Sequence, residues 1–234
     1  RFGACDEDNR VRTVLFEDLT HSRHLTGVGC VRDSLVQWNK SLPSGHPLTT
    51  LINSMYSLYT LTACYVQATG DLTSMWSRVF LCTYGDDNVV GVSDAVSEVF
   101  NQVTVADMMK RNFNMRYTSD KKDAQLVPYE TIDDITFLKR GFVRAECPGG
   151  WAAPLALDSV LFRTYFYRNE RSFARDMAQN FNDALLELSL HPPELWQDKF
   201  LAATNFCARN NITLDVVSCE QAREICFSRD DVWF

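Results

Sequence analysis

Leu81-Cys82-Thr83-Tyr84-Gly85-Asp86-Asp87-Asn88-Val89-Val90-Gly91-Val92 places two apolar runs on either side of a polar tip. Apolar runs broken by Gly, Asp and Asn predict a strand, a tight turn over Gly85–Asn88 and a second strand. Two adjacent carboxylates at such a tip repel each other unless a positive charge sits beside them. Magnesium suits that demand, because it takes one or two protein carboxylates and leaves its other positions to water and phosphate oxygens. The same residues are also the commonest turn formers, so the stretch alone reads equally well as an ordinary turn.

The 234 residues are 46% hydrophobic and 23% charged, which suits a soluble globular protein of one large or two smaller domains. No apolar run is long enough to span a membrane, and the opening RFGACDEDNR has no signal-peptide core. A first residue of Arg1 instead of Met points to a start further upstream. Eight cysteines lie scattered without a C-x-x-C pair, which favours reduced, mostly buried thiols over disulfides or a zinc site. The net charge of −7 argues against a nonspecific nucleic-acid binder. A local basic channel is still open to this chain. Lys110, Arg111, Arg116, Lys121, Lys122, Lys139, Arg140 and Arg144 crowd into one segment.

Around the central hairpin, Val11, Val14, Leu15 and Leu19 predict a short amphipathic helix, and Ser34–Trp38 a strand. His21 and His24 have no third ligand nearby and read as surface histidines. Leu48 to about Ala68 predicts a long helix with Pro47 at its start and Gly70 at its stop. Its buried stripe is expected to be Leu48, Leu51, Ile52, Met55, Leu58, Tyr59, Thr62, Tyr65 and Val66. Thr49 and Asn53 lie four apart on one helix face near its start, where polar groups either bind a ligand or face water. Asp94 is expected to cap a short helix, and Thr104-Val105-Ala106-Asp107 to open another that ends near Asn112. Met115–Thr118 reads as a strand, and Lys139-Arg140-Gly141 as the turn of a second hairpin. Composition shifts at Pro148-Gly149-Gly150, and the remainder reads as wholly helical.

Four of these stretches, in order, resemble the RNA-dependent RNA polymerases of picorna-like positive-strand RNA viruses. Pro43–Ser54 (PSGHPLTTLINS) resembles motif B, and Tyr84–Asp87 (YGDD) resembles motif C. Thr118-Ser119-Asp120-Lys121 resembles motif D, and Phe137–Arg140 (FLKR) resembles motif E. The following Asn88 makes the insect and marine groups the nearest match. The likeness is close over residues 33–165 and looser beyond.

The resemblance implies an α/β fold of the right-hand polymerase type. Residues 1–147 would form an α+β palm with an antiparallel sheet, and 148–234 an all-helical thumb. Asp86 would be the principal metal ligand and Asp87 its neighbour, holding Mg2+, with Mn2+ as the alternative. Two such ions ~3.5–4 Å apart stabilise both the attacking and the leaving oxygens. Ser44 and Gly45 would form a mobile loop beside the site. Thr49 and Asn53 would recognise the incoming ribonucleotide and its 2′-hydroxyl. Lys121, with Lys122 next to it as the alternative, would protonate pyrophosphate. Lys139 and Arg140 would hold the primer backbone. Expected partners are template and primer RNA, ribonucleoside triphosphates and other viral replication proteins, at replication membranes in the host cytoplasm.

Upstream of Ser34 nothing resembles the family's motif A, since Asp6 and Asp8 sit in the polar run CDEDN. The basic finger motifs also have no counterpart. The family pattern therefore implies a fragment, inactive alone because the bridging carboxylate is missing. Two alternatives stay open. A reverse transcriptase shares the palm and a Y-x-D-D hairpin, although Asn53 and FLKR fit the RNA polymerases better. The other is a non-catalytic RNA-binding fragment whose acidic turn is only a turn.

Overall fold

The computed structural model describes residues 5–26, 34–39, 42, 44–121, 125–146 and 150–228, and the chain divides into the units Arg1–Tyr117 and Thr118–Phe234. In the first unit, helix α1 spans Asp6–Thr20. It starts earlier than its apolar spacing predicts, because Asp6, Glu7 and Asp8 fill a first turn that favours negative charge. The Asp8 carboxylate also accepts the Cys5 N–H at 3.1 Å. Of the expected apolar stripe only Leu19 is buried, whereas Val11, Val14 and Leu15 are exposed. Strands β1 (Arg23–Thr26) and β2 (Ser34–Gln37) pair antiparallel, Arg23 opposite Gln37. His24 lies in β1, where Ser22 Oγ sits 3.0 Å from its Nε2 and Trp38 meets its ring edge-on.

Helix α2 runs from Thr49 to Thr69 and stops at Gly70, whose φ of 72° no β-carbon has to tolerate. Its buried residues are Thr60, Leu61, Cys64 and Tyr65. The stripe expected to be buried is largely exposed at Leu48, Leu51, Met55, Leu58 and Tyr59. Apolar residues occur nearly all round α2, so periodicity could not choose the covered face; the packing partners do. Those are α3 (Met75–Arg78), the hairpin β3 (Val79–Tyr84) and β4 (Asp87–Val92), α4 (Asp94–Ser97) and α5 (Gln102–Phe113). Their shared core contains Leu61, Cys64, Tyr65, Met75, Val79, Val96, Phe100, Val105, Met108 and Met109. Tyr65 meets Phe100 edge-on at 5.3 Å, and its hydroxyl lies 2.8 Å from Ser74 Oγ.

Two helix starts differ from expectation by the choice of cap. Ser93, not Asp94, accepts the Ala95 N–H and caps α4. Asn101 caps α5, accepting the Val103 and Thr104 N–H groups at 3.1 Å, and Thr104 Oγ1 accepts the Asn101 N–H at 3.0 Å. Thr104 is thus the third helical residue of a capping box rather than its cap. Met115–Thr118 forms no strand.

The second unit opens with irregular chain and two short β features. Phe137 and Arg140 exchange both backbone hydrogen bonds at 2.9 Å across a two-residue turn, Leu138-Lys139. The turn therefore sits one residue earlier than the expected Lys139-Arg140-Gly141. Strands β5 (Val143–Arg144) and β6 (Trp151–Ala152) pair antiparallel. The Arg144 guanidinium lies 3.9 Å over the Trp151 ring. The expectation of a wholly helical chain from 148 is corrected here, because β6 and the Arg140–Leu155 bridge are extended. Beyond them come α6 (Leu157–Phe162), α7 (Phe173–Leu188), α8 (Pro193–Arg209) and α9 (Cys219–Ser228). Their core centres on Val160, Leu185, Leu188, Trp196 and Ala222. Trp196 donates its Nε1–H to the Leu185 carbonyl at 2.9 Å.

Candidate active site

Register fixes the acidic tip. Tyr84 pairs with Asp87 and Thr83 with Asn88, so only Gly85 and Asp86 form the turn. Gly85 takes a φ of 67° and Asp86 does not take a positive one, the pattern of a turn with glycine first. Beyond Gly85 and its two chain neighbours, no heavy atom of the described residues stands within 4 Å of where a Gly85 β-carbon would lie. Conformation, rather than space, demands glycine there.

Helix α2 grips this turn. The buried Gly85 donates its N–H to Ser54 Oγ at 2.8 Å, and its carbonyl accepts from the Ser57 hydroxyl at 2.9 Å. Ser54 donates its own O–H to the Thr50 carbonyl at 2.7 Å, which leaves its oxygen lone pairs to accept. Ser54 and Ser57 lie three apart, hence on one helix face. Sequence reading missed both, since serines on a helix read as ordinary polar surface. No local signal marked them, because the Gly85 that they hold stands 28 and 31 positions further along the chain.

Asp86 and Asp87 are exposed. Asn88 donates its amide to the Asp86 carbonyl at 3.3 Å and accepts from the Tyr117 hydroxyl at 2.6 Å. Burial, aided by nearby Cys64, pushes the Tyr117 phenol up to about 12 against the pull of the Asn88 bond. Among the described residues, no group of three or more His, Cys, Asp or Glu converges. Two adjacent solvent-facing carboxylates fit a hard divalent cation in donor chemistry, and they supply one or two of its six oxygens.

The motif B residues lie along the start of α2. Ser44 and Gly45 form an exposed turn, with Gly45 at a φ of 85°. His46 Nδ1 accepts the Leu48 N–H at 3.1 Å, and the His46 carbonyl accepts that of Thr49 at 3.0 Å. Thr49 is the first residue of α2 and Asn53 follows one turn on; both are half-buried. None of the described residues hydrogen-bonds the Asn53 amide.

Lys121, Lys139 and Arg140 belong to the second unit. Lys121 Nζ meets Glu130 at 3.0 Å and the Asp134 carbonyl at 3.2 Å. The hydrogen bond to Glu130 raises the lysine's pKa, which keeps it protonated but weakens it as a donor. Lys122 lies outside the described residues. Lys139 is exposed and reaches Ser159 Oγ at 3.4 Å. Arg140 is committed: it donates to Glu187 through two bonds of 3.0 and 2.7 Å and to the Ala153 carbonyl at 2.7 Å. That paired geometry raises its pKa. Much of the basic segment is likewise matched locally, Arg111 by Asp107 and Arg144 by Trp151. Cys5, Cys64, Cys82, Cys207, Cys219 and Cys226 form no disulfide, and burial pushes Cys64 up to about 11.

The family model for viral RNA-dependent RNA polymerase matches residues 4–208. The chain is 32% identical over 203 residues to the replicase polyprotein of Acute bee paralysis virus (strain Rothamsted), covering 79% of this chain and 10% of that polyprotein. It is 30% identical over 190 residues to the replicase polyprotein of Cricket paralysis virus, covering 78% of this chain and again 10% of the relative. The solved Sicinivirus 3Dpol RNA-dependent RNA polymerase superposes with a TM-score of 0.67 at 18% identity, over 89% of this chain and 41% of that one. The chain thus spans about a tenth of these polyproteins and under half of the solved polymerase.

Proposed function

Since the chain belongs to the viral RNA-dependent RNA polymerase family of picorna-like viruses, we propose that it carries the acidic hairpin of an enzyme joining ribonucleotides to an RNA 3′ end. One observation carries the reading. Asp86 in the turn and Asp87 at the start of β4 stand exposed at a hairpin tip whose glycine is bound on both sides by the helix that resembles motif B. An ordinary surface turn has no need of such bracing.

In this reading Asp86 and Asp87 hold Mg2+, or Mn2+, as part of a two-metal site. Bound there, the ions would supply charge neutralisation to the phosphoryl oxygens. The chain's own residues do the remaining work. Thr49 and Asn53, whose amide is unbonded among the described residues, face the incoming nucleotide, and Asn53 reads its 2′-hydroxyl. The Ser44-Gly45 turn lies beside them and adapts to the substrate. Lys121 carries the proton destined for pyrophosphate, and the exposed Lys139 meets an RNA phosphate. Arg140 braces the turn under Lys139 through Glu187, which supports a positioning share in RNA contact.

The palm and thumb names, with their boundary near 148, belong to this proposal. So do the other viral replication proteins as partners and the cytoplasmic replication membranes as location. Among the described residues no helix is long and apolar enough to cross a membrane. That the 234 residues by themselves do not polymerise is likewise part of the proposal, on the family pattern in which a further carboxylate joins the tip.

The test uses a polymerase that contains this segment, an RNA primer–template and either ribo- or deoxyribonucleotides. Preferential incorporation of ribonucleotides supports the reading. Preferential incorporation of deoxyribonucleotides would make the chain a reverse transcriptase, and no incorporation with Asp86 intact would leave only an RNA-binding role.

A further inference from the structure

We infer that Ser54 and Ser57 are positioning residues for catalysis: through the Gly85 peptide they hold Asp86 and Asp87 where the reaction needs them. The inference rests on the polymerase reading above. A two-stranded ribbon is marginal by itself, and its tip is where it frays. Here the tip carries two carboxylates whose repulsion adds to that tendency. Productive sites tolerate displacements of only about 0.5 Å. Gly85 has no side chain, so its peptide N–H and C=O are the only groups by which this residue can be held. Ser54 takes the first and Ser57 the second, at 2.8 and 2.9 Å.

The two serines are not interchangeable in polarity. Ser54 acts as an acceptor because its proton is spent on the Thr50 carbonyl, whereas Ser57 acts as a donor. A threonine preserves either role, while alanine removes both. Because Thr49 and Asn53 occupy the preceding turn of the same helix, α2 fixes the proposed nucleotide contacts and the acidic tip in one rigid frame.

The experiment uses a polymerase containing this segment, with Ser54→Ala, Ser57→Ala, their threonine counterparts and Asp86→Asn measured in parallel. Each alanine is expected to lower kcat for single-nucleotide extension roughly tenfold, with KM for the nucleotide and RNA affinity within about twofold of wild type. Amide hydrogen exchange across residues 81–90 is expected to speed up in the alanine variants, and threonine should restore both exchange and kcat. Ser57→Cys keeps the shape but donates weakly. It is expected to lower kcat even if an alanine variant does not fold. Wild-type kcat in Ser57→Cys, or an alanine loss that threonine does not restore, overturns the inference. An inactive Asp86→Asn beside a fully active Ser57→Ala sinks only the serine inference, whereas a fully active Asp86→Asn sinks the polymerase reading itself.

Discussion

Asn88 accepts a 2.6 Å hydrogen bond from the Tyr117 hydroxyl, which ties the residue after the two aspartates to the segment that follows α5. The Asn88 amide passes the restraint on to the Asp86 carbonyl. The acidic tip is therefore held from two directions, by serines of α2 on Gly85 and by Tyr117 through Asn88.

Tyr117→Phe removes one partner of this half-buried bond and is expected to destabilise the first unit by about 1 kcal/mol. It also has a pH signature. The folded phenol titrates at about 12 against an ordinary 10, chiefly because burial disfavours its charged form. A raised pKa gives stability that is complete below pH 10 and lost as pH rises from 10 through 12. Alkaline unfolding in that window should be shallower in Tyr117→Phe, and an unchanged slope would contradict the account.

Glu187→Ala strands the Arg140 guanidinium that it now pairs twice. The two side chains keep 37% and 25% exposure, so water offsets part of the loss. The expected cost is about 1–2 kcal/mol, below the range for a fully buried pair. It should appear as a lower midpoint in urea unfolding of the second unit with an unchanged slope.

Leu138 and Lys139 both hold left-handed backbone, at φ of 53° and 64°. The turn is pinned by bonds from Ala156 N–H to the Lys139 carbonyl (2.8 Å) and from Gly141 N–H to the Pro154 carbonyl (3.1 Å). Such a conformation costs a branched or long side chain roughly 1–2 kcal/mol. Leu138→Gly is therefore expected to raise the thermal midpoint, by about 1 kcal/mol of added stability after the glycine's entropy is counted. A lowered midpoint would mean that the leucine's packing outweighs the strain.

Local patterns were the readable part of this chain. The β3–β4 ribbon follows from two apolar runs around turn formers, and only its tip shrank, because Asp87 and Asn88 are paired instead of free. The helical character of the chain from α6 to α9 and the stop at Gly70 were legible from composition and the helix-stop signal. What depended on distant partners was not readable. The covered face of α2 was set by Val79, Phe100 and Met108, which no pattern within α2 encodes. The pairing of Arg140 was not readable either, because Glu187 stands 47 residues away in the chain. The proposed role of the Asp pair came from the turn together with the family resemblance, whereas its serine supports lie about thirty positions earlier and carry no local signature.

The most direct measurement of the central claim is single-nucleotide extension by a polymerase containing this segment, comparing the wild type with Asp86→Asn in an otherwise unchanged chain. The substitution keeps size and exposure but removes the charge that would bind the cation. The rate is predicted to fall by about 10³ or more, the loss expected when several kcal/mol of charge stabilisation disappear, with RNA affinity and thermal midpoint unchanged. Wild-type extension by Asp86→Asn would show that the Gly85-Asp86-Asp87 turn is only a turn.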